Sequence, residues 1–106
     1  MSVYVIQEVP GKNILSAKAY GELIVLLSPE QIAFQPEPSM VRLRHKLKTF
    51  SDSDFLLLIG DPVAIAMAVA VASSVNNGRL NLLKWDRQER EYFSVTVDIN
   101  ERRTDD

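Results

Sequence analysis

The segment from Phe55 to Gly78 constrains the fold most, because it is a long segment without a single lysine, arginine or glutamate. Such an apolar segment belongs in the protein interior. We interpret it as a buried strand over Phe55 to Ile59, a Gly-Asp-Pro turn, and a buried helix that begins at Pro62 and ends before Gly78. The apolar helix is too short to cross a bilayer, which takes about 20 apolar residues.

Large and small residues alternate from Val63 to Ala72, which is the period of a strand. The flanking residues nevertheless favour a helix. Asp61 is a good N-cap, and Pro62 suits the first helical position because its missing N–H is not needed there. The sequence Asn-Asn-Gly that ends at Gly78 supplies a left-handed stop, and alanine is the best helix former. We therefore predict a helix.

This helix is predicted to present two apolar ridges. A rotation of about 100° per residue puts Val63, Met67 and Val71 on one ridge and Ile65 and Val69 on nearly the opposite side. Two ridges imply two partners, of which the first is the sheet and the second is either another helix or another subunit. Small residues between the ridges would allow close approach, and these are Ala64, Ala68 and Ala72.

Composition excludes several function classes. The chain has 106 residues, which is the size of one domain, with 46% hydrophobic and 25% charged residues, the values of an ordinary globular protein. It has no cysteine and one histidine, so a disulfide framework and the usual zinc sites are excluded. The formal net charge of -2 argues against wholesale nucleic-acid binding. The N-terminus shows no signal peptide or membrane anchor, so we expect a cytoplasmic protein.

The first half of the chain is predicted to hold two strands. Val3 to Val9 is apolar and β-branched and ends at Pro-Gly, and Lys12 to Ser16 is a loop. Glu22 to Leu27 is a second strand, buried on both faces or paired near the centre of a sheet. Two alternatives stay open after it: one helical turn from Ser28 to Gln31, or a short extended piece over Gln31 to Phe34. Gln35 to Pro38 is too proline-rich for either structure.

A basic helix follows, over Ser39 to Phe50, whose apolar stripe is predicted at Met40, Leu43, Leu47 and Phe50. The polar loop Ser51 to Asp54 comes next. After the apolar segment, Arg79 to Asp86 and Glu91 to Ile99 form a C-terminal antiparallel hairpin joined by a charged turn. In the last strand Phe93, Val95, Val97 and Ile99 are predicted to face the core.

The predicted architecture is α/β, or α+β, with one mixed sheet and two main helices in the order β-β-α-β-α-β-β. If the strands around the apolar helix are parallel neighbours, their connection crosses over right-handed. Residues 1–99 form a single globular domain, and residues 100–106 form a polar, frayed tail.

Two possible ligand sites are outweighed by structural interpretations. The turn Gly60 to Pro62 lies where α/β proteins often bind ligands, but it has one glycine and an acidic cap, so capping is favoured over anion binding. Asp52, Asp54 and Asp61 would bind a hard cation if they converged, but a solvated loop explains them better. We predict no catalytic residue, no cofactor and no metal.

The sharpest functional feature is the cationic side of the basic helix, formed by Arg42, Arg44, His45, Lys46 and Lys48. It would suit an acidic protein face or a nucleic-acid backbone, and a solvated outer face is the equally weighted alternative. A second candidate is the exposed turn that begins with Trp85 and Arg87, because Trp and Arg are enriched at interface hot spots. Shielding of the sheet end by the tryptophan explains that turn equally well.

Three stretches carry a resemblance to a known group of proteins: Val3 to Pro10 (VYVIQEVP), Leu57 to Pro62 (LLIGDP) and Lys84 to Glu89 (KWDRQE). Over these stretches the chain resembles small proteins of marine cyanobacterial phages related to the T7-like podoviruses, to which no chemistry is assigned. The resemblance implies a short viral protein made in the host cytoplasm, and it carries over no functional residue.

We therefore predict a small non-enzymatic interaction protein that binds host or phage machinery. The expected partner is a protein, and a homodimer through the second ridge of the apolar helix or through sheet edges is possible. The alternative is a nucleic-acid-binding accessory protein that uses the helix 39–50. A small-ligand or nucleotide binder at Gly60 to Pro62 is the third hypothesis, and no membrane partner is expected.

Overall fold

One five-stranded sheet organises the computed structural model, which describes residues 1–31 and 36–101. The strand order is β2-β1-β3-β4-β5, so the first strand lies inside the sheet. The elements in chain order are β1 (Ser2–Gln7), the 3-10 helix η1 (Leu15–Tyr20), β2 (Glu22–Leu27), α1 (Pro36–Lys46), β3 (Phe55–Leu57), α2 (Pro62–Val75), β4 (Arg79–Asp86) and β5 (Glu91–Asp98).

The sheet is mixed, as the sequence predicts. β1, β2, β3 and β4 are parallel, and β5 is antiparallel to β4. β3 and β4 are parallel neighbours joined by α2, and β4 and β5 form the C-terminal hairpin. The predicted α/β class and element order are confirmed. No helix in the described part of the chain combines the length and the apolarity needed to cross a membrane.

The sheet separates two hydrophobic cores. α1 and α2 cover one face, above a core whose largest members include Ile6, Leu26, Leu43, Leu47 and Leu56. The shorter η1 covers part of the other face, above Val3, Val5, Ala17, Leu57 and Leu83. Along β1, successive residues from Val3 to Ile6 therefore enter different cores, as the two-residue period of a strand requires.

α2 has the predicted caps but a different orientation. Asp61 accepts a hydrogen bond from the Val63 N–H at 2.8 Å, so its role as N-cap is confirmed. The side turned inward is the alanine side, because the fully buried positions are Ala64, Ala68 and Ala72. The larger side chains flank this stripe, and α1 packs beside the Met67 and Val71 flank. The second partner of α2 is thus another helix, one of the two predicted alternatives.

The prediction of a wholly buried α2 is wrong. Val63 is 53% exposed and Val75 is 41% exposed, and Ala66 and Ala70 also lie on the outer side. The helix lies on the outside of the sheet, so only the side facing the sheet is enclosed. Its outer side nevertheless carries no charge, because no residue of α2 is ionisable.

The two end strands of the sheet also differ from prediction. β2 has the predicted bounds, but among the described strands it pairs only with β1 and lies at an edge, where Val25 is 37% exposed. β5 was predicted to turn four side chains into the core, and only Val97 packs there. Phe93, Val95 and Ile99 are 39%, 42% and 57% exposed, because neither helix extends over the last strand.

Two local features differ from the predicted loops, and a third agrees with one of the predicted alternatives. Residues 15–20 form η1 although a loop was predicted up to Ser16. α1 begins at Pro36, because prolines are tolerated in the first helical turn, where no backbone N–H is needed. Gln31 accepts the Ser28 N–H through its side chain at 2.7 Å and donates its own N–H to the Ser28 carbonyl oxygen at 3.2 Å, as in the predicted helical turn. The extended alternative falls mostly on residues 32–35, outside the described part.

Asp52 ties the loop before β3 to the end of α2 and the start of β4. Its Oδ1 accepts Asn76 Nδ2 at 2.8 Å and Arg79 Nε at 3.0 Å. The Asn76 hydrogen bond, and then the Arg79 guanidinium, lower the pKa of Asp52 from its ordinary value of 3.8. The folded state therefore gains stability from the ionised form above pH 3.8, and this gain is lost as the pH falls through the lower folded pKa.

Asp52→Asn should accordingly be less stable than the wild type at neutral pH, and the two proteins should converge in acid. Urea unfolding at a series of pH values measures the difference in unfolding free energy. A difference that stays constant from neutral pH to well below pH 3.8 would contradict the assigned pKa shift.

Candidate functional site

Two of the predicted site cations bind the protein's own sheet. Arg42 donates from Nε to the Leu26 carbonyl oxygen at 2.6 Å, and Lys46 donates from Nζ to the Val25 carbonyl oxygen at 2.9 Å. Partial burial, and then the nearby Arg42, lower the pKa of Lys46. These two side chains hold α1 against the edge strand β2, so the cations predicted for one helix surface do not form one free surface; Lys48 also lies beyond the end of α1.

The other cations of the basic segment lie elsewhere. Arg44 and Lys48 border a groove of about 400 Å³ between α1 and α2, and His45 is exposed. Apolar or small residues form the rest of the groove: Met40, Ala70, Val71, Ser74 and Val75. The basic segment is therefore divided between a structural role and the rim of an apolar groove.

A broad apolar surface lies on the same face of the sheet as the helices. We name it the α2–β5 face and define it by the outward residue Ala66 of α2, by Ile65 and Val69 on the flank of α2 turned away from α1, and by Phe93, Val95 and Ile99 of β5. Leu82 of β4 pairs with Val95 and joins the two parts, because Leu82 packs against the core under α2. Lys84, which pairs with Phe93, is a charged side chain at its border.

An exposed apolar face of this kind is unusual for a helix and strand on the outside of a domain. An outer helix face normally carries charged or polar residues. Single exposed apolar side chains are common and need no explanation, whereas neighbouring ones mark contact sites for other molecules. The α2–β5 face therefore has the character of an interaction surface.

The Gly60 to Pro62 turn is organised by a buried side chain. Gln7 at the end of β1 is 5% exposed, and its Oε1 accepts the Asp61 N–H at 2.7 Å. With Val63 N–H bound to the Asp61 carboxylate, two amides at the start of α2 are already satisfied. An anion would compete with both bonds and meet the negative charge of Asp61, which favours the capping interpretation.

The three candidate cation ligands do not converge. Asp52 and Asp54 precede β3 and Asp61 follows it, so they lie at opposite ends of the sheet. Asp54 is 7% exposed, and its carboxylate accepts the Ser2 N–H and the Ser51 N–H, both at 3.0 Å. Across residues 1–31 and 36–101, no three acidic, histidine or cysteine residues form a group able to hold a metal ion. The idea of a shared cation site is wrong for this geometry.

Trp85 packs against its cross-strand neighbour while remaining accessible. Its ring centroid lies 4.9 Å from that of Tyr92, with the rings 69° apart, and Trp85 is 42% exposed. Trp85 and Tyr92 both lie on the face that η1 partly covers, opposite the α2–β5 face. Arg87 is exposed in the turn between β4 and β5. The partner role of Trp85 and Arg87 stays a prediction.

Residues of the α2–β5 face were missed as site candidates because their alternation was taken as burial. Alternation identifies the side chains that share one face, but not what covers that face. No signal within β5 itself separates the two cases, because the same alternation serves a covered and an uncovered face.

Comparison with known proteins connects the chain to phages. Residues 1–99 match the family described as Phage Pam3 gp32-like protein. No curated protein and no solved structure matches the chain. The family match covers all the described strands and helices.

Proposed function

Because the chain belongs to the Phage Pam3 gp32-like protein family, we propose that it is a phage accessory protein that acts by binding another protein through the α2–β5 face. It works in the host cytoplasm and catalyses no reaction. Its narrower origin among the T7-like podoviruses of marine cyanobacteria stays a prediction.

The observation that carries this proposal is the row of exposed apolar residues of β5 on the sheet face that the uncharged helix α2 covers, with Leu82 of β4 between them. A partner that covers this surface removes apolar area from water, at about 25 cal/mol per Å². Phe93 is the aromatic residue of the surface, and aromatic residues dominate the energetics of interfaces. Lys84 at the border would favour a partner with an acidic rim.

Binding of nucleic acid is less well supported by this geometry. Arg42 and Lys46 donate to carbonyl oxygens of β2, which leaves Arg44, His45 and Lys48 as the cations for a phosphate backbone. Nucleic-acid affinity depends on the number of phosphates neutralised. The nucleic-acid role therefore stays the alternative prediction.

A charge placed on the α2–β5 face tests the proposal. Val95→Lys should weaken partner binding at least roughly tenfold, because a buried unpaired ammonium opposes association. Affinity capture from infected cells identifies the partner, and titration of that purified partner gives the dissociation constant. Light scattering of the isolated chain shows whether a second copy occupies the face, in which case Val95→Lys yields a monomer.

Ser94→Lys is the matched control, because Ser94 is the adjacent residue of β5 and points to the other face of the sheet. The control should bind like the wild type. Equal weakening by both variants, or equal binding by Val95→Lys and the wild type, would refute the use of this face.

A further inference from the structure

A second, distinct site is suggested by a cavity on the face of the sheet opposite α1 and α2. The cavity has a volume of about 350 Å³. It opens beside the end of β3, between the loop that follows β1 and the C-terminal hairpin. Its lining residues are Gly11, Lys12, Asn13, Leu57, Leu58, Ile59, Trp85 and Tyr92.

This cavity lies beside the position at which open α/β sheets bind ligands, since the loop after β1 and the end of β3 both line it. β2 lies on one side of β1 and β3 lies on the other, so the strand order reverses between β1 and β3. The connections that leave these two strands also separate, because η1 and α2 cover opposite faces. Ligands bind in the crevice that such a reversal leaves at the carboxyl ends of the strands. The volume is in the usual range for small-molecule sites, about 300–1,000 Å³.

The lining of the cavity combines aromatic surface with hydrogen-bond donors. Trp85 and Tyr92 contribute two aromatic rings, and Leu57 and Ile59 contribute aliphatic surface. Burial raises the pKa of Tyr92, so its hydroxyl remains a donor at neutral pH. The Asn13 Oδ1 accepts the Leu15 N–H at 3.0 Å, which leaves the Asn13 amide group as a donor.

The charge of the lining is positive. Lys12 supplies an ammonium group, and none of the eight lining residues has a carboxylate. A smaller cavity of about 230 Å³ adjoins it, shares Gly11, Lys12 and Ile59, and includes Glu8 among its lining residues. The larger cavity is therefore the one whose chemistry suits an anion.

We propose that this cavity binds a small planar aromatic molecule that carries an anionic group, with the ring against Trp85 and the anionic group at Lys12. Aromatic side chains bind nucleobases and other planar rings by stacking on their faces. A mononucleotide and an aromatic carboxylate share this chemistry. The site is independent of the α2–β5 face, since the two lie on opposite faces of the sheet.

The fluorescence of Trp85 reports on the site directly, because the chain has one tryptophan. The full chain is titrated with the four nucleoside monophosphates and, separately, with 4-hydroxybenzoate. We expect saturable quenching by at least one of these probes, and the probe that binds identifies the source. The corresponding uncharged nucleoside, or phenol for the carboxylate, should bind about tenfold more weakly because Lys12 loses its partner.

Lys12→Met should weaken binding of the anionic probe about tenfold, while Lys18→Met should leave it unchanged. Both lysines are exposed, so neither variant removes core packing, and thermal unfolding verifies the fold of each. Val95→Lys should also leave probe binding unchanged, which separates this site from the proposed protein interface. The proposal would be overturned if no probe gave saturable quenching. It would also be overturned if Lys12→Met bound the anionic probe as tightly as the wild type.

Discussion

Gln7→Glu should destabilise the protein by about 2–4 kcal/mol at neutral pH. The Gln7 amide donates from Nε2 to the carbonyl oxygens of Ser28 and Gln31, both at 3.1 Å, and the Pro29 oxygen lies 3.4 Å away. A carboxylate in the same place has no proton to donate and faces these oxygens with a negative charge. Chemical denaturation measures the loss, which corresponds to a fall in Tm on the order of 10–20 °C.

The deficit of Gln7→Glu should also depend on pH. Burial and the neighbouring carbonyl oxygens favour the protonated carboxyl, so the pKa of the introduced group is raised in the folded state. The deficit is therefore smallest below the ordinary glutamate pKa of about 4.3, and it grows as the pH rises above that value. Gln88→Glu makes the same change in the exposed turn and should cost little. Equal stability of the two variants at neutral pH would show that the Gln7 hydrogen bonds contribute nothing.

Gly60→Ala should cost about 3 kcal/mol or more, for two separate reasons. Gly60 has φ +120°, a conformation that residues with a side chain rarely adopt. An added Cβ would in addition clash with the Gln7 Cβ and lie 2.9 Å from the Gln7 Oε1. The clash would displace the side chain that holds the turn before α2. Thermal and urea unfolding provide the measurement.

Gly11→Ala separates the two causes, because Gly11 has φ +84° but no atom within 4 Å of an added Cβ. The control variant should cost only the backbone strain, about 1 kcal/mol. If Gly60→Ala were no worse than Gly11→Ala, the contact with Gln7 would not constrain the turn.

Local signals in the sequence were sufficient to predict most of the elements. β2 and β4 have the predicted bounds, because turn-forming residues such as Gly21, Ser28 and Gly78 delimit them. Asp61 and Pro62 mark the start of α2, whose caps decided between helix and strand although the alternating pattern favoured a strand. These signals act within a few residues, so a single sequence contains them in full.

The orientation of α2 was not predictable from its own residues. Its apolar residues surround the helix, so the pattern does not indicate which side faces the sheet. The structure turns Ala64, Ala68 and Ala72 inward, which brings the helix backbone close to the sheet and leaves larger residues at the flanks. This arrangement depends on the shape of the sheet, which forms from distant segments.

The candidate site depended on tertiary structure even more strongly. Arg42 and Lys46 appear in the sequence as a cationic surface, and only the fold brings them to carbonyl oxygens 16 and 21 residues earlier in the chain. Lys12 and Trp85 likewise line one cavity although 73 positions separate them in sequence. Strand order decides which distant residues become neighbours, and neither the composition nor the periodicity of the sequence indicates that order.

The side chains that α1 places on β2 also limit how many copies of this protein can join by extending the sheet. A fibre that grows without end requires two sheet edges that each accept a new strand. The Val25 and Leu26 carbonyl oxygens of β2 already accept hydrogen bonds from α1, so β2 is a poor template for a further strand. The β5 edge of the sheet remains available for pairing, since no strand in the described part pairs with its outer side. Strand addition would therefore stop at a closed pair of molecules and would not extend into a filament.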